Sequence, residues 1–132
     1  MIAVDSSIVV AIMRDESDAR IWTEVLDQAS KSLMSVVSYV ETNMVIAGRR
    51  PNADSEQVGV LLRALSIDVM PVTLEQGDLA LSAFMTFGKG RHPAKLNISD
   101  CFSYALAKSR NVPLLFKGHD FTRTDIVPAW RP

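Results

Sequence analysis

Residues 97–120 read NISDCFSYALAKSRNVPLLFKGHD, and this stretch decides the fold. Cys101, Phe102, Ala105 and Leu106 form an apolar helical face behind Asp100, which predicts a helix over Asp100–Arg110. Asn111-Val112-Pro113 leads out of it into the apolar run Leu114–Phe116, a short strand. One acid thus opens a helix, and a second, Asp120, follows the strand.

The same alternation extends toward the N-terminus. Further strands are expected at Ile2–Val4, Leu33–Val36 and Ile67–Met70, and further helices at Ser7–Met13, Asp18–Ala29, Val40–Arg49, Ser55–Leu65 and Leu74–Phe87. Pro51-Asn52 and Gly88-Lys89-Gly90 interrupt helical runs, and no internal repeat, low-complexity tract or linker is present. Alternating elements of this kind predict a mainly parallel sheet covered by helices. At 132 residues and 48% hydrophobic, the chain suits one globular domain over 1–132.

Right-handed crossovers bring strand C-termini and helix N-termini to one edge of such a sheet, where ligands of open α/β folds bind. Asp5 directly follows the first strand, Glu41 lies in the first turn after the second, Asp100 opens the helix before the fourth, and Asp120 follows the fourth. All four should face one crevice. Clustered carboxylates with no neighbouring cation invite Mg²⁺ or Mn²⁺, and metal-dependent phosphodiester cleavage needs little else from a protein.

Each acid also has a purely structural explanation. Asp5 could cap the helix that begins near Ser7, Ser38-Tyr39-Val40-Glu41 reads as a capping box, and Asp100 could be a first-turn acid after Asn97 or Ser99. Capping accounts poorly for Asp120, and the joint placement favours a site. Ser6 and Ser7 could orient the neighbouring carboxylate, or could be ordinary helix-start serines. Cys101 reads as a buried structural thiol. His92 and His119 are too few for a histidine metal centre, although His119 could touch phosphate beside Asp120.

The net charge of -1 conceals a strong asymmetry. Residues 1–88 hold six Lys and Arg against twelve Asp and Glu, whereas residues 89–123 hold seven against two, and those two are Asp100 and Asp120. A basic stretch around candidate metal ligands suits a polyanion, the alternative being ordinary solvated surface charge. One cysteine excludes an intrachain disulfide and a cysteine-based zinc site. No apolar run reaches the roughly 20 residues of a membrane span, no signal-peptide pattern opens the chain, and a cytoplasmic protein is expected. Leu79, Ala80, Leu81, Ala83, Phe84, Met85 and Phe87 make one helix apolar on more than one face, by deep burial or a subunit contact. Ile12, Met13, Ile21 and Trp22 could border a partner's groove.

Taken together, these residues resemble the PIN-domain ribonuclease toxins of VapBC toxin-antitoxin systems. The resemblance runs over essentially the whole chain, through Asp5-Ser6-Ser7, Ser38-Tyr39-Val40-Glu41, Gly88-Lys89-Gly90-Arg91-His92-Pro93-Ala94-Lys95-Leu96-Asn97, Asp100 to Ala107, Leu114 to Gly118, Asp120-Phe121 and Thr124-Asp125-Ile126. It implies a three-layer α/β/α fold with a four- to five-stranded sheet and an acidic quartet of Asp5, Glu41, Asp100 and Asp120. Asp5 and Asp100 would be the direct metal ligands, and Ser7 the supporting hydroxyl. It further implies an Mg²⁺- or Mn²⁺-dependent endoribonuclease cleaving structured RNA such as tRNA or rRNA, a homodimer restrained by a VapB-like antitoxin. Lys89, Arg91, Lys95 and Lys117 would hold the RNA. Ser6 stands where Thr is usual and His119 where Asn or an acid often precedes the last Asp-Phe, leaving Asp125 as second choice for the fourth carboxylate.

Other classes fit less well. A phosphorylation receiver needs an acceptor Asp after the middle strand, and neither Asp54 nor Asp68 stands there; a haloacid-dehalogenase-type phosphatase needs a second Asp where Ser7 is. The remaining alternative is a non-catalytic relative that binds RNA or a partner through the same face.

Overall fold

A computed structural model describes residues 1–49 and 56–132. Its elements are β1 (Ile2–Val4), α1 (Ser6–Met13), α2 (Ala19–Gln28), β2 (Ser32–Ser35), α3 (Val36–Arg49), α4 (Gln57–Ala64), β3 (Ile67–Met70), α5 (Leu74–Phe87), α6 (Ile98–Arg110) and β4 (Leu114–Leu115). The expected break at Pro51-Asn52 and the expected helix start at Ser55 lie outside the described residues.

The four strands pair in the order β3-β2-β1-β4, all parallel. Strand alternation gives the sheet two apolar faces. Ala3, Leu33 and Leu114 enter one core with Ala80, Ala83, Leu106 and other residues of α5 and α6. Their neighbours Val4, Met34 and Leu115 enter the other, with Ile8, Trp22, Leu26, Ile46, Val58 and Leu62 from α1 to α4. This is the expected helix-sheet-helix sandwich.

After β1 the chain steps to β2 and then β3, whereas α5 and α6 carry it back across the sheet to β4 on the far side of β1. The strand order therefore reverses between β1 and β4, and a crevice at the strand C-termini is expected there. Asp5 ends β1 at that point; its amide donates to the Leu115 carbonyl of β4 at 2.9 Å. Beyond β4, residues 116–127 are tied back to the body. Phe121 and Ile126 are buried, Phe116 packs on Phe121 at 5.1 Å, and Tyr104 Oη donates to Asp125 Oδ1 at 2.7 Å.

One boundary differs in a way that matters. The helix expected from Val40 begins at Val36, directly from β2, because Ser35 Oγ accepts the Val37 amide at 3.2 Å and caps it without a loop. Ser38 and Glu41 are therefore inside the helix, three residues apart on one face, and are not a capping box.

Gly88 ends α5 by donating its amide to the Phe84 carbonyl at 2.8 Å. A Cβ there would collide with that carbonyl oxygen and stand 2.5 Å from the Phe84 ring. Gly88→Ala should therefore cost about 1–3 kcal/mol, the usual range for overpacking. Urea unfolding checks this; a midpoint equal to wild type would show that the α5 terminus yields freely.

Candidate active site

Asp5 is the N-cap of α1, and both its oxygens are engaged. Oδ2 accepts the Ser7 amide at 3.1 Å and the Ser7 hydroxyl at 2.6 Å, while Oδ1 accepts the Ser103 hydroxyl of α6 at 2.6 Å. Ser7 Oγ in turn accepts the Lys117 amide at 3.1 Å, joining the end of β1 to the loop after β4. Asp100 sits at the third position of α6 in a reciprocal capping box: Asn97 Oδ1 accepts the Asp100 amide at 2.9 Å, and Asp100 Oδ2 accepts the Asn97 amide at 3.0 Å. For Asp5 and Asp100 the capping explanation holds, and it leaves the site explanation open. Glu41, half-buried on α3, accepts the Ser6 hydroxyl at 2.5 Å, and Asp120 is exposed beyond β4.

The four carboxylates share one electrostatic neighbourhood. Burial, first, and the charges of Asp5, Asp120 and Glu41 push the Asp100 carboxyl up to about 7, although the Asn97 amide opposes this. Among the described residues, none of the ion pairs includes any of the four. Nor do three His, Cys, Asp or Glu side chains among them converge into a ready-made cage. Hard oxygen donors, a local excess of negative charge and no resident side-chain cation fit a divalent cation. Mg²⁺ is usually held by one or two carboxylates with water completing its shell, so an open set is the expected form. Asp5 and Asp100 would hold it, with Glu41 and Asp120 at its margin.

The second-choice acid is placed elsewhere. Asp125 accepts the Tyr104 hydroxyl and pairs with Lys108 at 2.9 Å, so its charge is already matched and its role is to anchor the loop. Lys117 also differs from expectation. Its ammonium donates to Glu16 and, at 3.0 Å, to Asp18, and these hydrogen bonds raise its pKa, Glu16 contributing most. Its charge is directed to the start of α2 instead of standing free for phosphate. Lys89, Arg91 and Lys95 are exposed on the excursion between α5 and α6, which the Gly88–Leu96 bridge closes just before Asn97. Arg91 lies over the Phe84 ring, 5.6 Å from its centroid. Exposed His119 precedes Asp120, whereas His92 Nδ1 accepts the Ala94 amide. Cys101 is buried, and desolvation with the Asp100 charge pushes its thiol up to about 11, which suits the structural role.

Two residues of this arrangement escape sequence reasoning, Ser38 and Ser103. Their hydroxyls lie 2.9 Å apart, fully buried between α3 and α6. The available signal was Ser103 three residues after Asp100, on the same helix face in an otherwise apolar run.

Comparison with known proteins places this geometry in a family. A PIN domain model matches residues 2–127. Ribonuclease VapC30 of Mycobacterium tuberculosis is 42% identical over 129 residues, covering 98% of both chains. Among solved structures, M. tuberculosis VapC20, a sarcin-ricin loop cleaving toxin, superposes with a TM-score of 0.78 at 16% identity over the full length of both chains. A toxin-antitoxin complex from Klebsiella pneumoniae gives 0.72 at 13% identity, also over full length. The last two likenesses are of fold.

Asp100 supplies a pH prediction for cation-free protein. Its folded pKa lies above the ordinary carboxylate value, so between about pH 4 and pH 7 the folded state binds the extra proton and stability falls as pH rises through that window. Asp100→Asn removes this slope: the variant should match wild type at or below about pH 4 and be more stable near pH 8, by at most about 4 kcal/mol. Thermal unfolding in chelator checks it, and parallel pH profiles for the two proteins would contradict the assigned charge cluster.

Proposed function

The chain belongs to the PIN-domain family, among the VapC ribonucleases, and on that premise we propose that it is a divalent-cation-dependent endoribonuclease, the toxin of a toxin-antitoxin pair. The observation that carries this reading is that buried Asp100 lies within electrostatic reach of Asp5, Glu41 and Asp120, with none of the four in an ion pair among the described residues, near the point where the strand order reverses.

A bound Mg²⁺ or Mn²⁺ would supply water activation and neutralise charge developing on the scissile phosphate. Asp5 and Asp100, at two helix N-termini, would hold the ion. Glu41, steadied by Ser6, and Asp120 would complete its cage or position water, and hydrolysis by water would leave 5′-phosphate and 3′-hydroxyl ends. Lys89, Arg91 and Lys95 hold the flanking phosphates of a structured RNA, of the tRNA or rRNA class. Lys117 acts at a remove, through its backbone amide on Ser7.

Control comes from a VapB-like antitoxin. A cleft of about 660 Å³ lined by Ile21, Trp22, Phe116, Pro128 and Trp130 suits an apolar segment of such a partner. The protein pairs with its own copy through α5 and the start of α6, where Leu81 is 62% and Ile98 73% exposed beside Leu74, Phe84 and Met85. No helix among the described residues is long and apolar enough to cross a membrane.

Purified protein should cleave total RNA with Mg²⁺ or Mn²⁺ and stop on chelation, and Asp5→Asn should lose at least about 100-fold in rate while remaining folded. Its expression should arrest bacterial growth, relieved by the co-expressed antitoxin. Cation-independent cleavage would remove the metal reading; RNA binding without cleavage would favour the non-catalytic alternative. Leu81→Glu with Ile98→Glu should give a monomer by light scattering, and an unchanged dimer would move the interface elsewhere.

A further inference from the structure

The Asp5 carboxylate is held by more contacts than helix capping needs. Helix capping accounts for the bonds to Ser7 but not for Ser103, which reaches Asp5 from α6, or for Ser38, which reaches Ser103 from α3. Both serines are buried to within 1%. A hydroxyl has one hydrogen, and an ionised carboxylate only accepts. The 2.6 Å contact from Ser103 to Asp5 Oδ1 therefore commits the Ser103 hydrogen, and Ser38 must be the donor in the 2.9 Å contact between the serines. The result is a directed chain from Ser38 to Ser103 to Asp5, in which each hydrogen bond polarises the next.

A carboxylate offers about four lone-pair sites. Ser7 occupies two on Oδ2, and Ser103 occupies one on Oδ1. One site remains open, on Oδ1. We propose that Ser103, oriented by Ser38, is a positioning residue that fixes the Asp5 carboxylate so that a divalent cation is taken through the single free lone pair of Oδ1. This rests on the ribonuclease reading above and assigns the ligating atom and its support within it. The Ser103 contact has the length of a charge-assisted O–H···O⁻ bond, the strong kind. Without it, Oδ1 is restrained only through Oδ2, and Asp5 can swing about its terminal bond. Support of this sort typically changes metal affinity 10- to 100-fold.

A merely structural role, tying α3 to α6, would change stability and leave cation binding alone. The test is Mn²⁺ binding to the whole protein by electron paramagnetic resonance, with unfolding temperature measured in chelator. Ser103→Ala should weaken Mn²⁺ about 10- to 100-fold, and Ser38→Ala should weaken it less, since the Asp5 contact survives without its orienting donor. Ser103→Cys keeps volume but donates weakly, so it should weaken Mn²⁺ too and carries the test if the alanine variant does not fold. Wild-type Mn²⁺ affinity in folded Ser103→Ala or Ser103→Cys overturns the proposal and leaves the ribonuclease reading standing. Absence of Mn²⁺ binding by wild type overturns both.

Discussion

Burial of the Asp100 carboxylate near three other acids is the constraint around which this site is arranged. Asp100 is 8% exposed and Asp5 3% exposed, and no ion pair among the described residues compensates either. Buried charge without a partner is costly, so the fold must compensate by other means. It does so with oriented dipoles. Asp5 and Asp100 stand at the N-termini of α1 and α6, where unpaired amides and the helix macrodipole favour negative charge, and the hydroxyls of Ser7 and Ser103 add to the donors on Asp5. On Asp100 this support is incomplete, and burial still pushes its carboxyl up to about 7.

Helix capping and metal ligation compete as explanations only when each acid is considered singly. For Asp5 and Asp100 capping is the means by which the carboxylate is held. Asp100 receives the Asn97 amide, and that bond both fixes the carboxylate and opposes the upward push of burial on its pKa. The remaining elevation reflects desolvation and the other three acids, which a cation would relieve. The basic groups of the same region are kept at a distance: Lys108 serves Asp125, Lys117 serves Glu16 and Asp18, and Lys89, Arg91 and Lys95 stand on the exposed excursion before α6. None of these groups forms an ion pair with the four acids among the described residues.

Much of this was legible in the chain because the signals are local. Apolar runs Ile2–Val4 and Ile67–Met70 and the long helix Leu74–Phe87 have the boundaries expected from periodicity, and strand alternation at Ala3-Val4 and Leu33-Met34 divides the two cores. Position of the acids at strand ends follows from that alternation. What escaped reading depends on tertiary contact. Whether Lys117 faces phosphate or Glu16 and Asp18 is decided across about 100 residues of sequence, by the approach of β4 to the α1–α2 corner. The pairing of Asp125 with Tyr104 and Lys108 is likewise set by how the last loop lies on α6.

The early start of α3 shows how one cap can reorganise a site. Had the helix begun at Val40, Ser38 would lie in an extended segment, and Glu41 would be a first-turn acid with its carboxylate turned toward its own amides. Beginning at Val36 adds a full turn and places Ser38 and Glu41 on one face, toward α6 and α1. Ser38 can then meet Ser103, and Glu41 can meet Ser6. A single serine at the end of β2, whose hydroxyl accepts the Val37 amide, thereby determines which side chains of α3 reach the acidic centre.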